Sequence, residues 1–284
     1  MVRICTLILI CFSSSIFAQE FNTKSKTNKY KLVSEQKYEY EVIVTIPPYY
    51  DDSKNYKTLY YLDAWWLEDI VKGNYTLLNR TKAVEEIILV GISINGSSEE
   101  FTKQRTRDYT PTPYNMDFPF ILPLESGSFI VDANNSGNSD SFKKFLKDKV
   151  FPFVSKEYAI DKDNRGFIGH SFGGLFGVYD SMDKEPLFNR HIIISPALWW
   201  NKSLKLYEKI ENNLKTNKTK ANIFICYGES ENMSIVKSTN HLIKYFKKNM
   251  IDNLKYRFET YEKEDHTSLL PKSIYDGIEY FYKK

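Results

Sequence analysis

Three features of the sequence predict an α/β fold: a mostly parallel central sheet with helices on both faces. From Thr58 onward, short β-branched and apolar runs alternate with stretches of helical periodicity, the pattern of strand–helix–strand units. Glu85 to Ile94 (EEIILVGISI) is nearly continuously apolar in its middle, as suits a strand buried on both faces. Arg165 to Leu175 (RGFIGHSFGGL) climbs from a strand-like run through Gly169-His170-Ser171-Phe172-Gly173 into a helix-compatible run. Glycines at such a turn remove Cβ atoms that would collide as strand and helix approach. With 284 residues and 42 % apolar content, the chain can bury a sizeable core.

The first residues read as a targeting segment. Met1-Val2-Arg3 is a short basic start, Ile4 to Ile10 an apolar stretch, and Ser13 to Ala18 leads to a cleavage point before Gln19. This predicts a signal peptide over 1–18, export to the periplasm or beyond the cell, and a single domain over 19–284. The apolar run is too short for a membrane span, so no stable span is expected once it is removed. Cys5 and Cys11 leave with it, and Cys226 remains alone in an apolar run, a buried thiol with no disulfide partner. Formal net charge is +3, from 39 basic and 36 acidic residues, which gives no electrostatic case for nucleic acid. The 21 Tyr and 19 Phe suit either a cleft with aromatic walls or half-buried strand positions. Cys-His metal spacing is absent from the sequence, and no metal or organic cofactor is expected.

Taken in order, residues 19–29 are polar and read as a mobile leader. Tyr40 to Ile46 is a β-branched strand stopped by Pro47-Pro48, and Asp51 to Ser53 a turn. Thr58 to Leu62 is the next strand and runs into Asp63-Ala64-Trp65-Trp66. The buried strand at 85–94 follows. Asn95 to Asn138 is long, irregular and rich in Pro, Gly and Ser; its Tyr114, Phe118 and Phe120 predict a packed lid or cleft wall. Ser139 and Asp140 offer N-caps to a helix whose face carries Phe142, Phe145, Leu146 and Val150, kinked or ended by Pro152. The strand at Gly166–Gly169 enters the serine turn, and its helix runs to about Met182. His191 to Ser195 is a buried strand that ends in Pro196-Ala197-Leu198-Trp199-Trp200-Asn201. A helix over 203–214, a polar connector over 216–220, a strand over 222–227 and a helix over 235–250 follow. Leu254, Tyr256 and Phe258 alternate as a strand, His266 lies in a loop, and Ile274, Ile278 and Phe281 mark a closing helix.

Open α/β sheets gather their chemistry at the carboxyl ends of the strands. Ser171 in G-x-S-x-G sits on a sharp turn that lifts a nucleophilic hydroxyl clear of the sheet. A serine needs a base within reach and an acid to orient it. Of the four histidines, His170 is inside the turn and should point away, His191 opens its strand at the wrong edge, and His241 lies within a helix. His266 follows the last strand at the carboxyl edge and is the candidate base. The acid should follow the strand ending at Tyr227, where Glu231 is preferred and Glu229 comes next. The backbone N–H of Phe172 is one candidate oxyanion donor, and that of Trp65 or Ala64, after the strand ending at Leu62, the second. Trp199 and Trp200 could line an acyl or aromatic pocket, or pack in the core.

The segments YYLDAWW, R-x-R-D-Y-T-P, GHSFGGL, SPALWW and EDHTS together resemble the putative-esterase group of α/β-hydrolases. Within it they are similar to the branch of enterobactin-esterase-like siderophore hydrolases. The resemblance covers most of the chain after residue 18. It implies the α/β-hydrolase fold and a serine carboxylic ester hydrolase with Ser171 as nucleophile and His266 as base. It leaves the acid open, since some of that branch work with a Ser-His pair. Ala64 departs from the glycine usual after the aspartate. The partner implied is a small-molecule ester, with a catecholate trilactone as one candidate and a carbohydrate-linked acyl ester as its rival. Arg105 and Arg107 would supply cationic contacts to acidic catechols. An acyltransferase or a binding protein on the same scaffold are the other classes.

Overall fold

A computed structural model describes residues 25–94, 96–216, 221–249 and 254–284. The expected signal peptide over 1–18 and most of the connector over 216–220 lie outside the described residues. Strands β1 (Lys26–Val33), β2 (Glu39–Ile46), β3 (Tyr56–Tyr61), β4 (Ile87–Ser93), β7 (Ile160–His170), β8 (Arg190–Ile194), β9 (Ala221–Gly228) and β10 (Leu254–Tyr261) form one sheet in the order β1-β2-β4-β3-β7-β8-β9-β10. Every pairing from β4 to β10 is parallel, and β1 and β2 are antiparallel. This is the doubly covered, mostly parallel sheet that the strand–helix alternation predicts. β1 is a correction to the expected leader, because Lys26 to Lys29 pair with β2 from Lys26↔Ile46 onward. Its polar, lysine-bearing sequence suits an edge strand, which has no hydrophobic signature to detect.

Side-chain alternation divides the core between two faces. Tyr60, Val44 and Ile193 face one way, and Tyr61, Ile43 and Ile194 the other. Helix α1 (Ala64–Arg80) covers the second face with Leu67, Val71, Tyr75 and Leu78, beside α8 (Leu270–Tyr282) with Ile274 and Ile278. The first face is covered by α3 (Ser139–Phe145), α4 (Phe151–Glu157), α5 (Phe172–Ser181), α6 (Leu204–Thr216) and α7 (Met233–Asn249). Between α3 and α4 the chain makes a π-helical turn, Leu146–Val150, and Pro152 stands in the first turn of α4. Proline has no N–H to close the ladder and its ring crowds the preceding turn, so a widened turn lets the helix continue. Buried Cys226 lies in β9.

The irregular stretch expected to form a packed lid or cleft wall contains regular elements. Helix α2 (Ser98–Tyr109) opens with a capping box, Ser97 Oγ accepting from Glu100 N–H while Glu100 accepts from Ser97 N–H. A two-stranded hairpin follows, β5 (Phe120–Leu124) and β6 (Gly127–Val131). Among the described residues no helix is long and apolar enough to cross a membrane.

Candidate active site

The carboxyl ends of β3, β7, β8, β9 and β10 converge on one edge of the sheet. Ser171 stands between β7 and α5 with φ 59° and ψ −113°, a left-handed conformation that costs a side-chain-bearing residue on the order of 1–3 kcal/mol. Backbone bonds hold it there: Ser171 N–H donates to Ile194 O at 3.0 Å, and Ser171 O accepts from Leu175 and Ala197. Only one of the two motif glycines is required by contact. A Cβ at Gly169 would lie 2.2 Å from Gly173 O, whereas one at Gly173 would meet nothing closer than Asp63 Oδ2 at 3.5 Å.

His266 lies in the loop after β10, and Glu231 in the loop after β9. His266 Nδ1 is 2.9 Å and 3.0 Å from the two carboxylate oxygens of Glu231, whose side chain is fully buried. Glu229 turns instead to Thr260 Oγ1, at 2.9 Å. Asp265 accepts from the N–H groups of Ser268 and Thr267, which pull its carboxyl down to about 2 and tie the His266 loop into a turn. His170 is a correction to the expectation that it points away. Its Nε2 is 2.8 Å from the His266 carbonyl oxygen and the two rings lie 4.4 Å apart. A carbonyl only accepts, so Nε2 carries the proton. Burial, then the neighbouring His266 and Arg105, hold the His170 imidazole well below its ordinary pKa, and hence neutral. His191 is buried against Asp180 at 2.9 Å, far from this edge in the fold's logic and structural in role.

Ser171, Glu231 and His266 line one cleft of about 780 Å³. Met116, Phe118 and Phe120, Trp199 and Ile235 form its apolar wall, and Ser230, Asn232, Ser234, Asp265 and Thr267 its polar side. The wall before β5 is held to the β8 loop by Asn201, which donates to Thr112 Oγ1 and Pro113 O and accepts from Asn115 N–H. The two tryptophans of SPALWW part company. Trp199 lines the cleft, while Trp200 is buried in the core and donates to Thr112 O. Met116 and Ile235 escape sequence reasoning, because neither residue type nor spacing marks a cleft-lining apolar group.

The two arginines do not line this cleft. Arg105 Nε and Nη2 each lie 3.0 Å from an oxygen of Asp63, a bidentate pair. Arg107 binds its neighbour Asp108 at 2.7 and 2.8 Å, and its guanidinium lies 3.3 Å from the centre of the Tyr38 ring. Tyr40 donates to the same Asp108 at 2.7 Å. At the start of α1, Trp66 and Leu67 N–H groups donate to Asp63 O, so Ala64 and Trp65 stand ahead of that ladder. The Trp65 indole is half-exposed and stacked on Phe101 at 5.2 Å. Phe172, whose ring is buried, opens α5 directly after Ser171.

Residues 34–269 match the family model described as "Putative esterase". The chain belongs to that family. Ester hydrolysis is the reaction class of that family. Among relatives, the ferri-bacillibactin esterase BesA of Bacillus subtilis is 26% identical over 245 residues, covering 82% of this chain and 81% of that protein. The apo-salmochelin esterase of Escherichia coli O6:H1 is 30% identical over 159 residues, covering 56% of this chain and 47% of that one. The crystal structure of the BES protein from Bacillus cereus superposes with a TM-score of 0.79 over 92% of this chain and 97% of that one, at 24% identity. That likeness establishes the fold, an α/β-hydrolase architecture.

Proposed function

We propose that this chain is an exported serine carboxylic ester hydrolase that works through an acyl-enzyme and cleaves siderophore trilactone esters. The observation that carries the mechanism is the Glu231–His266 contact in a cleft shared with Ser171 on its strained turn. With Nδ1–H donated to Glu231, Nε2 is the ring nitrogen free to act as a base. Ser171 Oγ attacks the ester carbonyl and its proton passes to His266 Nε2. The tetrahedral oxyanion is held by the N–H of Phe172 and that of Trp65 or Ala64. Collapse breaks the ester C–O bond, and His266 returns the proton to the departing alcohol. Water then repeats the sequence on the acyl-enzyme and releases the acid and free Ser171.

The trilactone assignment is supported by the named activities of the relatives and by the wall of Phe118, Phe120 and Trp199, whose faces suit an aromatic acyl arm. With both arginines turned to internal carboxylates, ring stacking takes over the role expected of cationic contacts. Export rests on the Met1 to Ala18 pattern. The test is turnover of p-nitrophenyl butyrate and of a catecholate trilactone, iron-free and ferric, beside Ser171→Ala. Loss of about 10⁴-fold or more in kcat with the variant is expected, together with wild-type labelling of Ser171 by a fluorophosphonate. Turnover that survives in Ser171→Ala refutes the nucleophile. Turnover of butyrate but neither trilactone refutes the substrate.

A further inference from the structure

The R-x-R-D-Y-T-P segment offers a role that substrate contact does not explain. Asp63 is the residue immediately before α1 and directly precedes both candidate donors, Ala64 and Trp65. It has φ 55° and ψ 32°, a left-handed conformation that a residue with a Cβ adopts at a cost, and its carboxylate is completely buried. Something must hold that conformation and neutralise that charge. Arg105 meets both needs through its two 3.0 Å bonds to the carboxylate. The guanidinium also lies 5.3 Å from the centre of the Phe172 ring. Phe172 carries the other candidate donor, on the residue that follows the nucleophile. One turn earlier on the same face of α2, Phe101 stacks on the Trp65 indole at 5.2 Å with 22° between the planes. Asp63 Oδ2 sits against the turn itself, since the nearest atom to a Cβ built on Gly173 is that oxygen.

We infer that Arg105 is a positioning residue: with Phe101 it clamps the Asp63-Ala64-Trp65 loop and the Phe172 turn in register, so that their N–H groups converge on one oxyanion. This rests on the serine-esterase mechanism proposed above and goes beyond it. Ground-state binding of a small neutral ester uses few groups, whereas the oxyanion forms only in the transition state. Loosening the clamp therefore lowers kcat and spares KM. The expectation differs from that for a substrate-contacting arginine, which would raise KM for anionic substrates and leave neutral ones alone.

The experiment measures kcat and KM for p-nitrophenyl acetate, together with fluorophosphonate labelling rates, in wild type, Arg105→Lys and Arg105→Ala. The paired variant Asp63→Asn with Arg105→Gln removes both charges and serves if either single variant fails to fold. The expected result is a fall in kcat of about 30-fold or more, with KM within about threefold and a parallel fall in labelling rate. Added guanidinium ion should restore part of the kcat lost in Arg105→Ala. Unchanged kcat in folded Arg105→Lys and in the paired variant overturns the inference while leaving the serine mechanism intact. A KM effect confined to the trilactone overturns it in favour of substrate contact. Failure of wild type to label at Ser171 overturns the mechanism and the inference together.

Discussion

Glu231→Gln is the sharpest test of how the site works. The substitution keeps the shape of the side chain and a carbonyl that can still accept from His266 Nδ1–H. What it removes is the negative charge, now 2.9 and 3.0 Å from Nδ1 through two oxygens. In the proposed mechanism the imidazole takes the serine proton, and that charge then faces a cation. At an effective dielectric of ~20, unit charges ~4 Å apart attract by about 4 kcal/mol. The His266 side chain is 38% exposed, so solvent screening takes a good part of that. A loss of about 2–3 kcal/mol of transition-state stabilisation remains, about 30- to 150-fold in kcat. The assay is steady-state hydrolysis of p-nitrophenyl butyrate, with a melting curve to show that the fold is intact. Glu229→Gln is the built-in control, because Glu229 turns to Thr260 and should leave kcat within about twofold of wild type. If folded Glu231→Gln also keeps kcat within about threefold, the carboxylate only packs, and a Ser-His pair performs the reaction alone.

Two further predictions concern the scaffold. Gly169→Ala should lower the melting temperature by more than about 5 °C, because its Cβ would fall 2.2 Å from Gly173 O; Gly173→Ala should stay within about 3 °C, and the reverse order would refute the account of the turn. Asp180 is buried, which alone would raise its pKa, but His191 and Lys143 outweigh burial and bring it to about 2. A depressed carboxyl contributes stability that is complete above its ordinary value near 4 and is lost as pH falls toward 2, here about 2 kcal/mol. Urea unfolding from pH 5 to pH 2.5 should therefore show wild type losing more stability than Asp180→Asn, and parallel losses would refute the linkage.

The legible parts of this sequence are those whose physics is local or strongly patterned. A doubly buried strand at 87–93 is apolar up to its last residue, Ser93, and the serine turn needs Gly169 where Gly173 O comes close. The contact of His266 with Glu231 is foreseeable, because both residues follow strands that end at one edge of the sheet. β1 was not legible, since an edge strand needs no apolar face. The place of His170 is not legible either, because its neighbour relation to Ser171 says nothing about its long-range contact with the His266 carbonyl, across 96 residues.

The arginines show how an element assignment decides which role a side chain can take. Read as an irregular loop, Arg105 and Arg107 could both reach one substrate. In a helix, two positions advance roughly 200° around the axis, so the two side chains leave opposite sides. The structure bears this geometry out, with Arg105 turned to Asp63 and α1, and Arg107 turned to Asp108, Tyr38 and Tyr40 of the β1–β2 region. The signal for the helix was present in Ser97-Ser98-Glu99-Glu100, a capping box hidden within a segment whose later prolines and glycines dominate its composition. Once the helix is recognised, two cations in three residues no longer imply an anionic ligand. Each cation pairs with its own carboxylate, and for Arg105 that carboxylate is Asp63, the first residue of the loop proposed to bind the oxyanion.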